Sequence, residues 1–367
     1  MKNIFGNALT VTLFGESHGA YIGATLDGLA PGMSVDMDNI RRMLSLRAPR
    51  GSISTARHEA DEVQIVSGVV DGVTTGTPLT LLIQNGDTKS GDYAAMKTVM
   101  RPSHADYPAQ CKYHGFQDTR GGGHFSGRIT AALVAAGAIC HAALQKKGIW
   151  IGTHLSRCAG VSDRAFGDLK ADIETLAEKP FPALCDKAGE SMQQAIAAAG
   201  ADGDSVGGVL ETAVIGLPAG VGEPWFDTVE GVLAHILFSV PAVKGVEFGD
   251  GFALADKRGS EANDAMRYEN GVVTAKTNHG GGIGGGITSG MPLLFRCAVK
   301  PTPSIAKEQK TVDIEKKENT TLAVKGRHDP AVVHRARAVV DAVTAIALCD
   351  LLTVRFGTDF LAKKGEV

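Results

Sequence analysis

Two dense glycine runs constrain this chain more than any other feature: residues 121–123, and residues 280–286, where only Ile283 interrupts the series. Glycine reaches backbone conformations closed to other residues and lets main chain approach a ligand or another segment closely. The runs belong to a total of 46 glycines in 367 residues, with no repeating period, which excludes a collagen-like chain. The rest of the sequence must supply the scaffold for such loops. It can: 44% of residues are hydrophobic and 21% charged, the balance of an ordinary globular protein. The formal net charge is only -3, too small for a whole-protein field that attracts nucleic acid or an anionic membrane. Neither is expected as a partner. Any anion site has to be local, built from a few converging basic residues.

Six cysteines (Cys111, Cys140, Cys158, Cys185, Cys297 and Cys349) include no C-x-x-C pair. They read as small buried thiols in a reducing compartment, and no metal site is expected. The N-terminal stretch lacks the apolar run and cleavage site of a signal peptide. No segment reaches ~18 uninterrupted apolar residues, so no membrane span is expected and the location should be cytoplasmic. No low-complexity linker divides the chain. One α+β unit over residues 1–367, with long functional loops, is the expectation.

Alternation over residues 8–14 predicts a strand ending at Gly15. Ile40, Met43, Leu44 and Arg47 follow Asp36 and Asp38 at helical spacing and predict a short helix with an acidic start. Strands are predicted over residues 62–70 and 79–83, joined by a turn. Residues 126–147 are Ala-rich, apolar on most faces and read as a buried helix stopped at Gly148. Beyond it the pattern predicts a helix over 184–199 stopped at Gly200, a strand over 206–216 and a helix over 229–238. Extended segments over 242–248, 272–276 and 293–299 follow. Residues 329–352 predict a long final helix with Pro330 at its first position and Asp329 as its cap.

Four segments set reactive side chains beside glycine or proline. Gly15-Glu16-Ser17-His18-Gly19 holds a histidine after a strand, where it can reach a ligand and titrate near neutral pH. Arg101-Pro102-Ser103-His104-Ala105-Asp106 repeats that chemistry, and Ser103 with Asp106 also fits a helix-capping box. Arg120-Gly121-Gly122-Gly123-His124-Phe125-Ser126-Gly127-Arg128 opens a helix whose free N–H groups suit an anion. Lys325-Gly326-Arg327-His328-Asp329-Pro330 opens the last helix and follows Lys300-Pro301-Thr302-Pro303-Ser304. A G-x-G-x-x-G pattern at Gly280, Gly282 and Gly285 lacks the helix that a dinucleotide fold needs after it, because Met291-Pro292 follows too soon. From the residues alone this is an anion-binding enzyme with two histidines.

These segments resemble the signature segments of chorismate synthases, in that family's order and over nearly the whole chain. Asp27-Gly28 followed by Pro31-Gly32, Val240-Pro241-Ala242-Val243-Lys244-Gly245 and the loop at 278–286 add to the likeness. The resemblance implies a β-α-β sandwich, two antiparallel sheets with helices packed between and around them, assembled as a homotetramer. It implies an anti 1,4-elimination of phosphate from 5-enolpyruvylshikimate 3-phosphate to give chorismate, the last step of the shikimate pathway. The reaction requires reduced FMN (FMNH2) without net redox change. The resemblance implies that the flavin would lend an electron and recover it, while the protein positions groups, excludes water and supplies protons.

By match to the family's motifs, His18 would be the acid that assists the departing phosphate, and a multiply charged neighbour should raise its pKa. His104 would donate toward the N1 region of the reduced flavin. Asp329, with Ser17, would form the relay that removes the flavin N5 proton. Arg47, Arg101, Ser126, Arg128 and Arg327 match positions around the substrate. The flavin contacts carried over are His124, Phe125, Ser126, Pro241, Ala242, Gly285, Lys300, Pro301, Thr302, Pro303, Ser304 and Arg327. The chain departs from the family in two places. Ser52 stands where many relatives carry a second arginine after Arg47, and Arg50 is expected to replace it. His124 and Phe125 stand where an Arg-Ser pair is frequent. Reduced flavin should come from an external flavin reductase or reductant. Two other readings stay open. Another FMN-dependent oxidoreductase acting on a phosphorylated anionic substrate would need a stoichiometric electron acceptor. A non-catalytic anion-binding module would not need His18, His104 and Asp329 together.

Overall fold

A computed structural model describes residues 2–51, 53–54, 59–86, 97–324 and 329–362. Ten strands form its two main sheets. β1 (Ile4–Phe5), β2 (Thr10–Gly15), β3 (Tyr21–Asp27), β4 (Val63–Ser67) and β5 (Leu79–Gln84) make an antiparallel sheet in the order β1-β2-β3-β5-β4. β6 (Trp150–Cys158), β7 (Val161–Ser162), β8 (Gly208–Ile215), β9 (Val243–Phe248) and β10 (Leu293–Val299) make a second, ordered β9-β10-β8-β6-β7. The helices are α1 (Met37–Arg47), α2 (Asp106–Tyr113), α3 (Thr130–Lys146), α4 (Leu169–Glu178), α5 (Asp186–Ala201), α6 (Val229–Leu237), α7 (Gly259–Ala262) and α8 (Val333–Phe356).

The layers follow from side-chain periodicity. In β5, Leu79, Leu81 and Ile83 are buried and face the same way as Ile22, Ala24 and Leu26 of β3. In β10 the buried set is Leu293, Phe295, Cys297 and Val299. Each sheet thus turns one apolar face inward. α3 covers the first sheet, α8 covers the second, and the two helices pack on each other with α1 and α6 alongside. Two antiparallel sheets enclosing helices make the expected α+β sandwich. Residues 127–146 are long and apolar enough to cross a membrane, yet they lie almost wholly inside this fold, between sheet and helix.

The α3–α8 crossing depends on one missing side chain. A Cβ on Gly137 would stand 2.5 Å from the Ala342 Cβ and 2.6 Å from its backbone. Gly137→Val should therefore lower unfolding free energy by about 3 kcal/mol, the upper end of overpacking effects. Urea unfolding reads this directly; an unchanged midpoint would contradict the crossing. The same core ties the chain ends together. The Asp350 carboxylate, on α8, accepts from the backbone N–H groups of Asn7, Ala8 and Leu9 at 2.8–3.1 Å.

Several boundaries move from their sequence-based positions. α5 continues through Gly200 to Ala201, because Gly200 packs against Pro330 and the chain turns only at Gly203, with φ +68°. The final helix opens at Val333, not at Pro330. Asp329 does not cap it, since its carboxylate is taken by Arg335 at 2.7 Å. α3 begins at Thr130, preceded by a 3-10 turn over Gly127–Ile129 that Ser126 caps through the Arg128 N–H. β6 escaped prediction because residues 151–155 are buried on both faces and show no alternation. All six cysteines are unpaired; Cys140, Cys158, Cys297 and Cys349 are buried, while Cys185 is half-buried and Cys111 exposed.

Candidate active site

The first motif is the turn between β2 and β3. Gly15 ends β2 at φ +101°, a conformation that glycine accepts freely, and Gly19 N–H closes the turn on the Glu16 carbonyl at 3.0 Å. Ser17 and His18 project inward and are buried. The 120–125 glycine loop clamps onto this turn. Ser17 N–H donates to the Gly123 carbonyl at 3.1 Å, and His124 Nδ1–H to the Gly15 carbonyl at 2.7 Å. Ser17 Oγ–H donates to the Arg120 carbonyl at 3.2 Å and accepts from His18 Nδ1–H at 3.1 Å, which fixes the imidazole tautomer.

Three consecutive glycines bring two histidines to one place. Gly121, Gly122 and Gly123 all have positive φ. The His18 ring lies so close over Gly121 that a Cβ there would overlap it. A Cβ on Gly122 would be 3.6 Å from His104 Cε1. The two imidazoles, 86 residues apart in sequence (104 − 18), therefore sit over adjacent residues of one loop. Phe125, Asp118 and Gly122 line a small cleft with His104 and Asp106.

His104 is held by a different device from the one the sequence suggests. α2 starts at Asp106 with Ala105 as its N-cap, and Ser103 has φ +56°, so no capping box forms. Asp106 instead gathers the motif. It accepts from His104 Nδ1–H at 2.6 Å, and from Arg101 Nε and Nη2 at 2.8 Å each. Burial alone would push this carboxyl upward, but the hydrogen bonds from Arg101 and His104 prevail and hold it well below the usual carboxylate range. A depressed carboxyl contributes stability above its unfolded pKa of about 3.9, lost as pH falls toward the folded value. Asp106→Asn should thus destabilise by about 2 kcal/mol at pH 7, with the deficit shrinking in acid. Urea titrations at neutral and acid pH test it, and a deficit independent of pH would rule out the ionic explanation.

The arginines gather on the other side of the turn. Arg47 at the end of α1 and Arg128 both pair with Asp61, and Arg128 also with Glu59 at 3.2 Å. Asp61 holds φ +49°, a strained conformation at a site of converging charge. Burial lowers Arg47 to about 10, partly opposed by Asp61. Arg335 donates through Nε to the Arg47 carbonyl at 2.8 Å and through Nη1 to Asp329 at 2.7 Å. Asn85 links Arg128 to the His18 turn. Polar contacts thus lead from the backbone of the His18 turn through Asn85 to Arg128, Asp61 and Arg47, and from the Arg47 carbonyl through Arg335 to Asp329.

Other expected residues are distributed unevenly. Lys300 reaches the Ser103 carbonyl through Nζ, and its N–H donates to the Ala242 carbonyl at 2.9 Å, so Pro241-Ala242, the 300–304 segment and the His104 loop meet. Gly285 lies in the tight hairpin of Ile283–Gly284 and Ile287–Thr288, and the adjoining Gly286 packs against Glu223 and Thr228. Arg50 is exposed, and its charge bears on Arg337 of α8. Ser52 and Arg327 lie outside the described residues. Among the described residues, no group of three His, Cys, Asp or Glu could hold a metal ion. Sequence reasoning missed Asn85, Asp61 and Arg335, which carry no local motif and are identified only by their long-range partners.

Comparison with known proteins agrees with this geometry. The family model "Chorismate synthase" matches residues 9–353. The chorismate synthase of Thermococcus gammatolerans is 45% identical over 351 residues, covering 95% of this chain and 97% of that protein. That of Korarchaeum cryptofilum is 44% identical, covering 95% and 96%. A crystal structure of a chorismate synthase superposes with TM-score 0.74 at 28% identity, covering 97% of this chain and 94% of that one. The chain, with its two imidazoles over one glycine loop, belongs to the chorismate synthase family.

Proposed function

We propose that this protein is a carbon–oxygen lyase that converts 5-enolpyruvylshikimate 3-phosphate to chorismate by anti 1,4-elimination of phosphate, in the presence of reduced FMN. The observation that supports this most is the meeting of His18 and His104 over Gly121 and Gly122, beside a cluster of buried arginines. A substrate with two carboxylates and a phosphate needs several guanidinium contacts, and Arg47, Arg101 and Arg128 are its binding residues in this reading, with Arg327 and Ser126. His18 serves as the acid for the departing phosphate; its Nδ1–H is engaged by Ser17, which fixes the orientation of the ring. His104, fixed by Asp106, would donate toward the reduced cofactor. In this reading Asp329, held by Arg335 at 2.7 Å, and Ser17 would serve to take the proton that the reduced cofactor must give up.

The residues fit a flavin. Thr302 Oγ1 is buried without a partner among the described residues, in the segment that also brings Lys300 against the His104 loop. Burial lowers the pKa of the Lys300 ammonium, and Gly122 brings backbone close to the His104 ring. Lys300 to Ser304, Pro241-Ala242, His124 and Phe125 would hold the cofactor, with Gly285 and Arg327. When bound, reduced FMN supplies transient electron donation to a ring that neither loses nor gains electrons overall.

Anaerobic conversion of 5-enolpyruvylshikimate 3-phosphate, followed by phosphate release and chorismate absorbance, tests the proposal. Turnover should need reduced FMN only in catalytic amount. A requirement for a stoichiometric acceptor would favour an oxidoreductase. With oxidised FMN and no external reductase or reductant, turnover should be absent. The unpaired thiols suit a reducing, cytoplasmic setting.

A homotetramer belongs to the same proposal. Trp225 and Phe226 are 85% and 93% exposed, and the two-stranded hairpin of Met266–Glu269 and Val272–Ala275 exposes Met266 and Tyr268 by 79% and 80%. An isolated hairpin is marginal in water, and such apolar surface fits contact with other copies. Sedimentation should give a tetramer at micromolar concentration; a monomer there would remove this part of the proposal.

A further inference from the structure

One buried amide uses all its side-chain hydrogen-bonding groups to join two halves of the candidate site. Asn85 directly follows β5, and its backbone N–H donates to the Ala20 carbonyl at 3.1 Å, which extends the pairing with β3 past the end of the strand. Its side chain is buried between the His18 turn and Arg128. Nδ2 donates to the Glu16 carbonyl at 3.0 Å and to the Gly19 carbonyl at 2.7 Å, spanning the turn that carries Ser17 and His18. Oδ1 accepts from Arg128 Nε at 2.9 Å. The amide orientation is not arbitrary, because a flipped group would set its oxygen against two carbonyls and its N–H against a guanidinium.

We infer that Asn85 is a positioning residue that sets the acid His18 and the guanidinium of Arg128 in a fixed relation. The inference rests on the reaction proposed above. Three features support it. Arg128 has its other nitrogens on Asp61, Glu59 and the Gln84 carbonyl, so Asn85 is its link to the histidine turn. The turn carbonyls at Glu16 and Gly19 flank Ser17 and His18 on both sides, so releasing them frees the segment bearing the imidazole. No other type of side chain of this size offers two N–H donors and a carbonyl acceptor from one planar group. Asp has the shape without the donors, and Gln has the groups on a longer stem. A misplacement of ~1 Å in such a constellation is enough to lower rate roughly 100-fold.

The two arms can be separated by substitution. Asn85→Asp retains an acceptor for Arg128 but turns a carboxylate toward the Glu16 and Gly19 carbonyls. It should lower kcat by roughly 10- to 100-fold with KM for 5-enolpyruvylshikimate 3-phosphate little changed. Asn85→Ala removes both arms and should lower kcat similarly while raising KM by about 10-fold, the value of one charge-assisted hydrogen bond. Steady-state kinetics with dithionite-reduced FMN, alongside thermal melts, reads both constants and the folded fraction. Equal kcat and KM in the wild type and both variants would overturn the role. So would losses that scale only with folded fraction, or failure of Asn85→Ala, Asn85→Asp and Asn85→Ser all to fold, since the residue would then serve the fold alone. Wild-type protein that releases no phosphate removes the proposed reaction, and this role with it.

Discussion

His18→Ala should lower kcat by roughly 100- to 10,000-fold, the range for loss of a positioned general acid, while FMN binding and KM for the phosphorylated substrate change little. The reason is geometric. His18 hangs from a turn that is fixed by Gly19, by the Gly123 carbonyl and by Asn85, none of which needs the imidazole to hold its place. Removing the ring takes away a group required only as phosphate departs, so the loss belongs in kcat. Rapid-quench measurement of phosphate release separates chemistry from product release. Turnover within threefold of wild type would strip His18 of the acid's role, whatever its position.

Gly121→Ala should approach the same loss without touching a reactive group. Gly121 has φ +60°, where an alanine costs about 1 kcal/mol. A single methyl there also occupies the space of the His18 ring. The ring must swing away or the glycine loop must lift, and both separate His18 from His104. A loss of at least roughly 100-fold in kcat is expected, with a modest drop in thermal stability. The double variant His18→Ala with Gly121→Ala should be no slower than His18→Ala alone, because both act on one group. Additive losses would show that the glycine matters for another reason.

Much of this was legible beforehand, and the legible parts share a cause. Strands β2, β5 and β10 have one apolar face, so period-two alternation announces them; β6, buried on both faces, gives no such signal. The buried helix α3 is evident from its composition, but its partner across Gly137 is not. Ser103 and Asp106 look like a capping pair because local spacing is all a sequence offers. Asp106 is in fact claimed by Arg101 and His104, since three side-chain hydrogen bonds, two of them from a guanidinium, outweigh one backbone cap.

The amino-acid order by itself determined which loops carry reactive groups, that glycine must line them, and that the chain belongs with the chorismate synthases. It did so because φ > 0 turns, capping residues and signature segments are local properties. Which loops meet was decided only by tertiary structure. His18 and His104 converge because residues 121–123 lack side chains that would hold them apart, and Arg47, Arg128 and Asp329 join through Asp61 and Arg335. Such pairings depend on Coulomb and hydrogen-bond contacts between segments distant along the chain, and no spacing in the sequence encodes that distance.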